Sequence, residues 1–196
     1  MEPAFLERWL EDVLATPGLT SLQTLDDARR MLLEDALRAL PIVESSSGTI
    51  VDVGSGGGSP GIPLAATLPG RSFTLLESQR RKADFLVRAA QGLANVEVVW
   101  GRAEEQPLDE HGVALAKALA RPPVATELCL PLVRPGGIAV LWVGETAEPD
   151  RVAAAAERVG GALESDTDGL VVLRKLVPTP PGFPRRPGMA KKRPLA

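Results

Sequence analysis

The chain has 196 residues, 44% of them apolar but only 4% aromatic and none tyrosine, so it can bury one domain-sized core made mainly of Ala, Val and Leu. A single cysteine (Cys129) excludes an intramolecular disulfide, a single histidine (His111) argues against histidine metal sites and Ser-His-Asp chemistry, and no apolar run reaches the 18 residues of a membrane span. Net charge is −3, but five cations and no acid in residues 177–196 leave −8 on the rest, an asymmetry that points to an anionic partner for the tail.

No signal-peptide pattern follows Met1, and the expectation is a soluble, cytoplasmic protein without a metal. Residues Glu2 to Ala15 read as a helix, with Phe5, Leu6, Trp9, Leu10 and Val13 at helical spacing, broken by Pro17-Gly18. A second amphipathic helix is expected from about Leu25 to Leu40. Its inward candidates are Ala28, Met31, Leu32, Asp35, Leu37 and Leu40, among which the carboxylate is out of place. Pro41 is expected to end it.

Alternation then sets in. Strands are expected at Thr49–Val53, Phe73–Leu76, Val96–Trp100, Val113–Leu119 and Ile138–Val143. Helices are expected at about Pro60–Leu68, Arg80–Gly92 (Ala83, Leu86, Val87 and Ala90 inward), Pro123–Val133 and Glu148–Val159. Pro135-Gly136-Gly137 is read as the stop of the third of these. Strand–helix alternation implies a mostly parallel sheet covered on both faces. Ala162–Ser165 and Leu170–Leu176 flank Asp166-Thr167-Asp168-Gly169, the signal of a closing antiparallel hairpin. Cys129 falls in an apolar helical pattern and reads as a buried small hydrophobe, whereas His111 falls in a polar loop. The tail 177–196 has six prolines and is expected to be extended, either solvated or as an RNA-facing strap around Phe183. The divisions are a helical cap at 1–45, the α/β domain at 46–176 and the basic tail at 177–196.

The stretch Ile50-Val51-Asp52-Val53-Gly54-Ser55-Gly56-Gly57-Gly58-Ser59-Pro60-Gly61 carries the chemistry. A buried strand runs into a turn whose backbone angles a Cβ would forbid, and the missing side chains let a ligand approach the main chain. The spacing is not the Gly-x-Gly-x-x-Gly of a dinucleotide fold, and no Gly-Lys-Ser/Thr follows. Glu77 ends the second strand, 23 residues after Gly54, where a carboxylate can accept hydrogen bonds from both hydroxyls of a ribose.

Asp-x-Gly-x-Gly-x-Gly after a strand resembles motif I of the class I S-adenosylmethionine-dependent methyltransferases, in which the turn wraps the methionine end of the cofactor and the corner matching Ala103-Glu104 contacts the adenine. More narrowly, three blocks resemble the bacterial small-subunit ribosomal RNA guanine-N7 methyltransferases, the glucose-inhibited-division protein B family. They are Val51 to Leu64 with its Pro-Gly-x-Pro-Leu ending, Glu77 to Leu86 followed by Gly101-Arg102-Ala103-Glu104, and the tail from Pro178 to Gly188 ending in Lys192-Arg193-Pro194-Leu195. Departures from the family pattern are Gly18 for an asparagine, Leu32 for a histidine, Ser59 for phenylalanine or leucine, Lys117 for an arginine and Val143 for a lysine.

The resemblance implies a Rossmann-like class I fold and S-adenosylmethionine held by Asp52, Gly54, Gly56, Gly58, Ser59, Glu77, Ser78, Gln79, Ala103, Glu104 and Lys117. It also implies catalysis beside Asp35 and Lys117 at the mouth of the pocket, with Arg185, Arg186, Lys191, Lys192 and Arg193 on the phosphates of small-subunit ribosomal RNA. A monomer is expected. The alternatives are a weakly catalytic paralogue that binds cofactor or RNA, and a methyltransferase for another substrate.

Overall fold

The computed structural model describes residues 3–144 and 148–196; Glu2, the first residue of the expected opening helix, lies outside them. A seven-stranded sheet has the order β3-β2-β1-β4-β5-β7-β6, with β1 (Ile50–Val53), β2 (Phe73–Glu77), β3 (Val96–Trp100), β4 (His111–Lys117), β5 (Val133–Trp142), β6 (Gly161–Thr167) and β7 (Leu170–Lys175). β1 to β5 pair in parallel, and β7 pairs antiparallel with both β5 and β6. The order reverses beside β1, so the carboxyl ends of β1 and β4 diverge there and leave a crevice.

Side-chain alternation assigns the faces. Ile50, Val113, Leu115, Ile138 and Val140 point to one side, and Val51, Val53, Ala114, Ala116, Ala139 and Leu141 to the other. The first face is covered by α1 (Pro3–Ala15), by a continuous helical run of α2 (Leu25–Ala28), a π-helical stretch Arg29–Glu34 and α3 (Asp35–Leu37), and by α4 (Leu40–Glu44), α5 (Gly61–Thr67) and α6 (Arg80–Ala89). Trp9, Leu10, Val13, Ala28, Ala39 and Val43 of residues 1–45 share one core with the sheet. The second face takes α7 (Pro122–Cys129), a 3-10 turn Leu130–Leu132 and α8 (Pro149–Arg158), with Phe183 and Leu195 of the tail packed against them.

Several expectations change in position. Met31 is 46% exposed, because the wider π-helical turn shifts the helix register and Leu33 packs inward instead. Val87 is exposed at 54%; Phe85 and Ala89 take the inner stripe of α6. Pro41 lies in the first turn of α4, where its missing N–H costs nothing, and so opens a helix. β4 begins at His111 and stops at Lys117. β5 begins at Val133, so Pro135-Gly136-Gly137 lies within the strand and does not act as a stop. The partner on its second side, β7, starts only at Ile138↔Arg174, leaving that edge free of ladder bonds where proline sits.

The hairpin turn is the two-residue Asp168-Gly169, both at positive φ (53° and 74°), the geometry that matches strand twist. His111 is a half-buried strand residue whose Nδ1 lies 3.1 Å from Thr49 Oγ1, and burial lowers its pKa. Cys129 is buried as expected, which pushes its thiol pKa far up. The tail is not wholly extended: Met189–Lys192 form one turn, α9, after Gly188.

Candidate active site

The crevice is built around the β1–α5 turn. Gly54 N–H and Ser55 N–H both donate to Leu76 O of β2 (2.8 and 3.1 Å), and Gly58 N–H donates to Ser55 O (2.7 Å), so the turn is folded by its own backbone. At Gly54 (φ +73°) a Cβ would sit 2.5 Å from Leu119 Cδ1. At Gly56 (φ +57°) a Cβ would meet only Gly54 O, at 3.7 Å, among the described residues: the chain is bare there toward open space.

Two carboxylates hold the turn. Glu77, 4% exposed at the end of β2, accepts from Gly56 N–H (3.0 Å) and Gln79 N–H (2.7 Å). Asp52, 1% exposed, accepts from Gly61 N–H (3.1 Å) through Oδ2, while its Oδ1 has no hydrogen-bond partner among the described residues. Burial pushes the Asp52 pKa up to about 7 against the pull of that N–H. Helix α1 adds a third support: Trp9 Nε1–H donates to Gly57 O at 2.8 Å.

Cavities open on both sides of Gly54. One, of about 190 Å³, is bordered by Ser55, Gly56, Ser59, Leu32 and Lys117. The other, of about 160 Å³, is bordered by Ser78, Arg102, Ala103, Glu104 and Leu119, and also by Gly188, Ala190 and Lys191 of the tail. A larger cavity of about 470 Å³ lies at the opposite end of the strands, between Ser45–Ser47, Arg134 and Arg174. It is far from the glycine turn and touches none of the expected site residues.

At the mouth of the first cavity Lys117 Nζ lies 2.6 Å from Asp35 Oδ2 and also donates to Met31 O. Asp35 pairs with Arg38 as well (2.8 Å), and its main-chain oxygen accepts from Trp142 Nε1–H (2.9 Å). Burial raises the Asp35 pKa, but Lys117 and Arg38 outweigh it and hold the carboxyl below its ordinary range. Ser59 Oγ–H donates to Leu32 O at 2.7 Å. The π-helical stretch thus hands one carbonyl to Lys117 and the next to Ser59.

The family model described as rRNA small subunit methyltransferase G matches residues 6–162. The chain belongs to this family. Ribosomal RNA small subunit methyltransferase G of Pelotomaculum thermopropionicum is 39% identical over 81% of this chain and 74% of its own length. That of Moorella thermoacetica is 36% identical over 85% and 78%. Among solved structures, a SAM-dependent methyltransferase from Aquifex aeolicus superposes with a TM-score of 0.58 at 18% identity, over 76% of this chain and 93% of that one. The fold is the class I methyltransferase fold.

Of the expected site residues, Gly54, Gly56, Ser59 and Lys117 border the first cavity and Gly54, Ser78, Ala103 and Glu104 the second, whereas Asp52, Gly58, Glu77, Gln79 and Asp35 border neither. Leu32, Ser59 and Lys117 border one cavity. The tail cations divide. Arg186, Lys191, Lys192 and Arg193 are exposed. Arg185 is not free for phosphate: its guanidinium grips Glu127 with two bonds (2.6 and 2.5 Å) and donates to Arg193 O (2.8 Å). Glu127 is 4% exposed on α7, so the pair is a buried anchor of the tail.

The sequence reading missed Trp9, Glu127 and the latch at the start of the tail. There the fully buried Lys175 donates to Leu130 O, Val159 O and Thr179 Oγ1 (3.0, 3.1 and 2.6 Å) and pairs with Asp109 (3.1 Å), which also accepts from Thr179 N–H. Trp9 did carry a signal, since a tryptophan on a buried helix stripe needs an acceptor for its N–H. Glu127 in an apolar helix carried one too.

Proposed function

We propose that the protein transfers the methyl group of S-adenosylmethionine to N7 of a specific guanine in small-subunit ribosomal RNA. The observation that carries the reading is the contact between Glu77 and the bare Gly56 turn, with a cavity on either side of Gly54. The residues present fit the cofactor, because a Cβ at Gly56 would occupy open space that the main chain leaves to a ligand. When bound, the cofactor supplies an electrophilic methyl group on a sulfonium.

The rest falls to the chain. Glu77 takes the ribose hydroxyls, Gly54, Gly56 and Gly58 admit the methionine end, and Ser78, Gln79, Ala103 and Glu104 border the adenine. Guanine N7 has a lone pair and no proton, so no residue has to act as a base. What is required is position: N7 held in line with the methyl at near-attack distance, with little water. The methylated base is cationic, and Asp35 lies on the side where it would form. Lys117, which borders the cavity, holds Asp35 beside it. Arg186, Lys191, Lys192 and Arg193 carry phosphates of the RNA. The protein acts as a cytoplasmic monomer.

The test uses labelled S-adenosylmethionine with small ribosomal subunits from cells lacking their own N7 enzyme. Label should appear in one guanine and vanish with Gly54→Asp. Cofactor binding without label in the RNA would defeat the transfer reading and leave a binding module.

A further inference from the structure

The second cavity has a wall that the strand ends do not provide. Its floor is Val53, Leu76 and Ala103, and its far side is the tail turn of Gly188, Ala190 and Lys191. Gly188 N–H donates to Glu104 Oε1 at 2.9 Å, so the tail is bonded directly to the corner that borders the cavity. Ala190 is 4% exposed although only six residues follow it. Buried contacts hold the segment that leads into this turn: Thr179 on Asp109 and Lys175, and Arg185 on Glu127. Arg185 also donates to Arg193 O, which closes residues 185–193 into a loop around α9. On the same turn Lys191 and Lys192 face solvent.

We propose that residues 188–191 are part of the cofactor site. They form the outer wall against which the adenosine end of the cofactor packs. This rests on the reading of the second cavity as the adenosine side. Two consequences follow from geometry alone. A ligand filling the cavity adds contacts to α9 and so strengthens the docking of the turn. Conversely, whatever holds α9 in place raises ligand affinity, because coupling between two binding events is reciprocal. RNA phosphates on Lys191 and Lys192 would do this. The tail then makes cofactor affinity depend on whether substrate RNA is engaged.

Gly188→Pro isolates the contact. The glycine has φ +80°, which proline cannot adopt, and proline has no N–H for Glu104, while the anchors at Thr179 and Arg185 stay intact. Calorimetry with S-adenosylhomocysteine should give at least about a ten-fold weaker Kd for this variant than for the unmodified chain, with the denaturation midpoint of the body unchanged. A second measurement needs no substitution: saturating S-adenosylhomocysteine should slow amide exchange in residues 188–193 of the full chain. Adding small ribosomal subunits should tighten S-adenosylhomocysteine binding in the unmodified chain and lose that effect in Lys192→Ala plus Arg193→Ala, neither of which borders the cavity. Equal affinity in Gly188→Pro together with unchanged exchange in the tail would overturn the wall and leave the cofactor reading standing. Failure of the unmodified chain to bind S-adenosylhomocysteine would overturn both.

Discussion

Around Gly54 the polar groups are held by main chain: Glu77 takes the N–H groups of Gly56 and Gln79, Asp52 that of Gly61, and Leu76 O those of Gly54 and Ser55. Around Lys117 the arrangement is different. Two charged side chains, 13% and 23% exposed, hold each other at the edge of solvent, one from β4 and the other from a helix about 80 residues earlier. The first region is a motif whose geometry is set chiefly by a dozen consecutive residues and the neighbouring strand β2, with Trp9 of α1 as the one distant support named. The second is an assembly of distant parts. In the first region the donors are main-chain N–H groups fixed by the turn, and only a carboxylate of the right reach, Glu77 or Asp52, can answer them, so the glycine turn is kept or lost as a unit. A side-chain pair can be re-made with other residues.

The sharpest way to break this contrast is Gly54→Asp. A Cβ there would be 2.5 Å from Leu119 Cδ1 at a φ of +73°, and a new carboxylate would enter the turn. Methyl transfer should fall by at least about 1,000-fold, with S-adenosylhomocysteine binding lost in calorimetry.

The next effect is on stability. Arg185→Ala strands Glu127, whose side chain is 3% exposed, and should cost about 3–5 kcal/mol in denaturant unfolding. Replacing both Arg185 and Glu127 with Ala should cost clearly less, because no unpaired buried charge remains. Equal costs would mean that the pair is not buried in solution.

Asp52 gives a pH signature to the main-chain-held region. Its pKa is raised from 3.8 to about 7 when folded, so between those values the native state keeps a proton that the unfolded chain has released. Stability should therefore decline as pH rises through that window, by about 4 kcal/mol for a shift of about three pH units. Asp52→Asn should flatten the decline in thermal unfolding scans from pH 4.5 to 7.5.

The smallest effect belongs to the acceptor side. Lys117→Ala should lower kcat/KM for ribosomal subunits about ten-fold while the Kd for S-adenosylhomocysteine stays within about two-fold, and Lys117→Arg should restore most of the loss. A large loss of cofactor affinity would instead join Lys117 to the cofactor-holding region.

The sequence alone carried the alternation of strands and helices, the hairpin that closes the sheet, the glycine turn with Asp52 and Glu77, and the basic tail. These are readable because they are local: strand burial, turn angles and the Asp168-Gly169 pair are dictated by neighbours within a few residues. The sequence could not show that Met31 faces out, since an α-helical period misses the π-helical register, or that β5 runs through Pro135-Gly136-Gly137, where β7 has not yet begun and the β4 ladder shifts register between His111↔Val133 and Val113↔Ile138. Nor could it divide the tail cations. Arg185 and Arg186 are adjacent and chemically identical, yet Arg185 reaches the buried Glu127, 58 residues away in sequence, and Arg186 does not leave the surface. Which charge anchors and which stays free was decided by the tertiary structure, because the energy of an ion pair depends on burial and distance, and neither is written in the order of the residues.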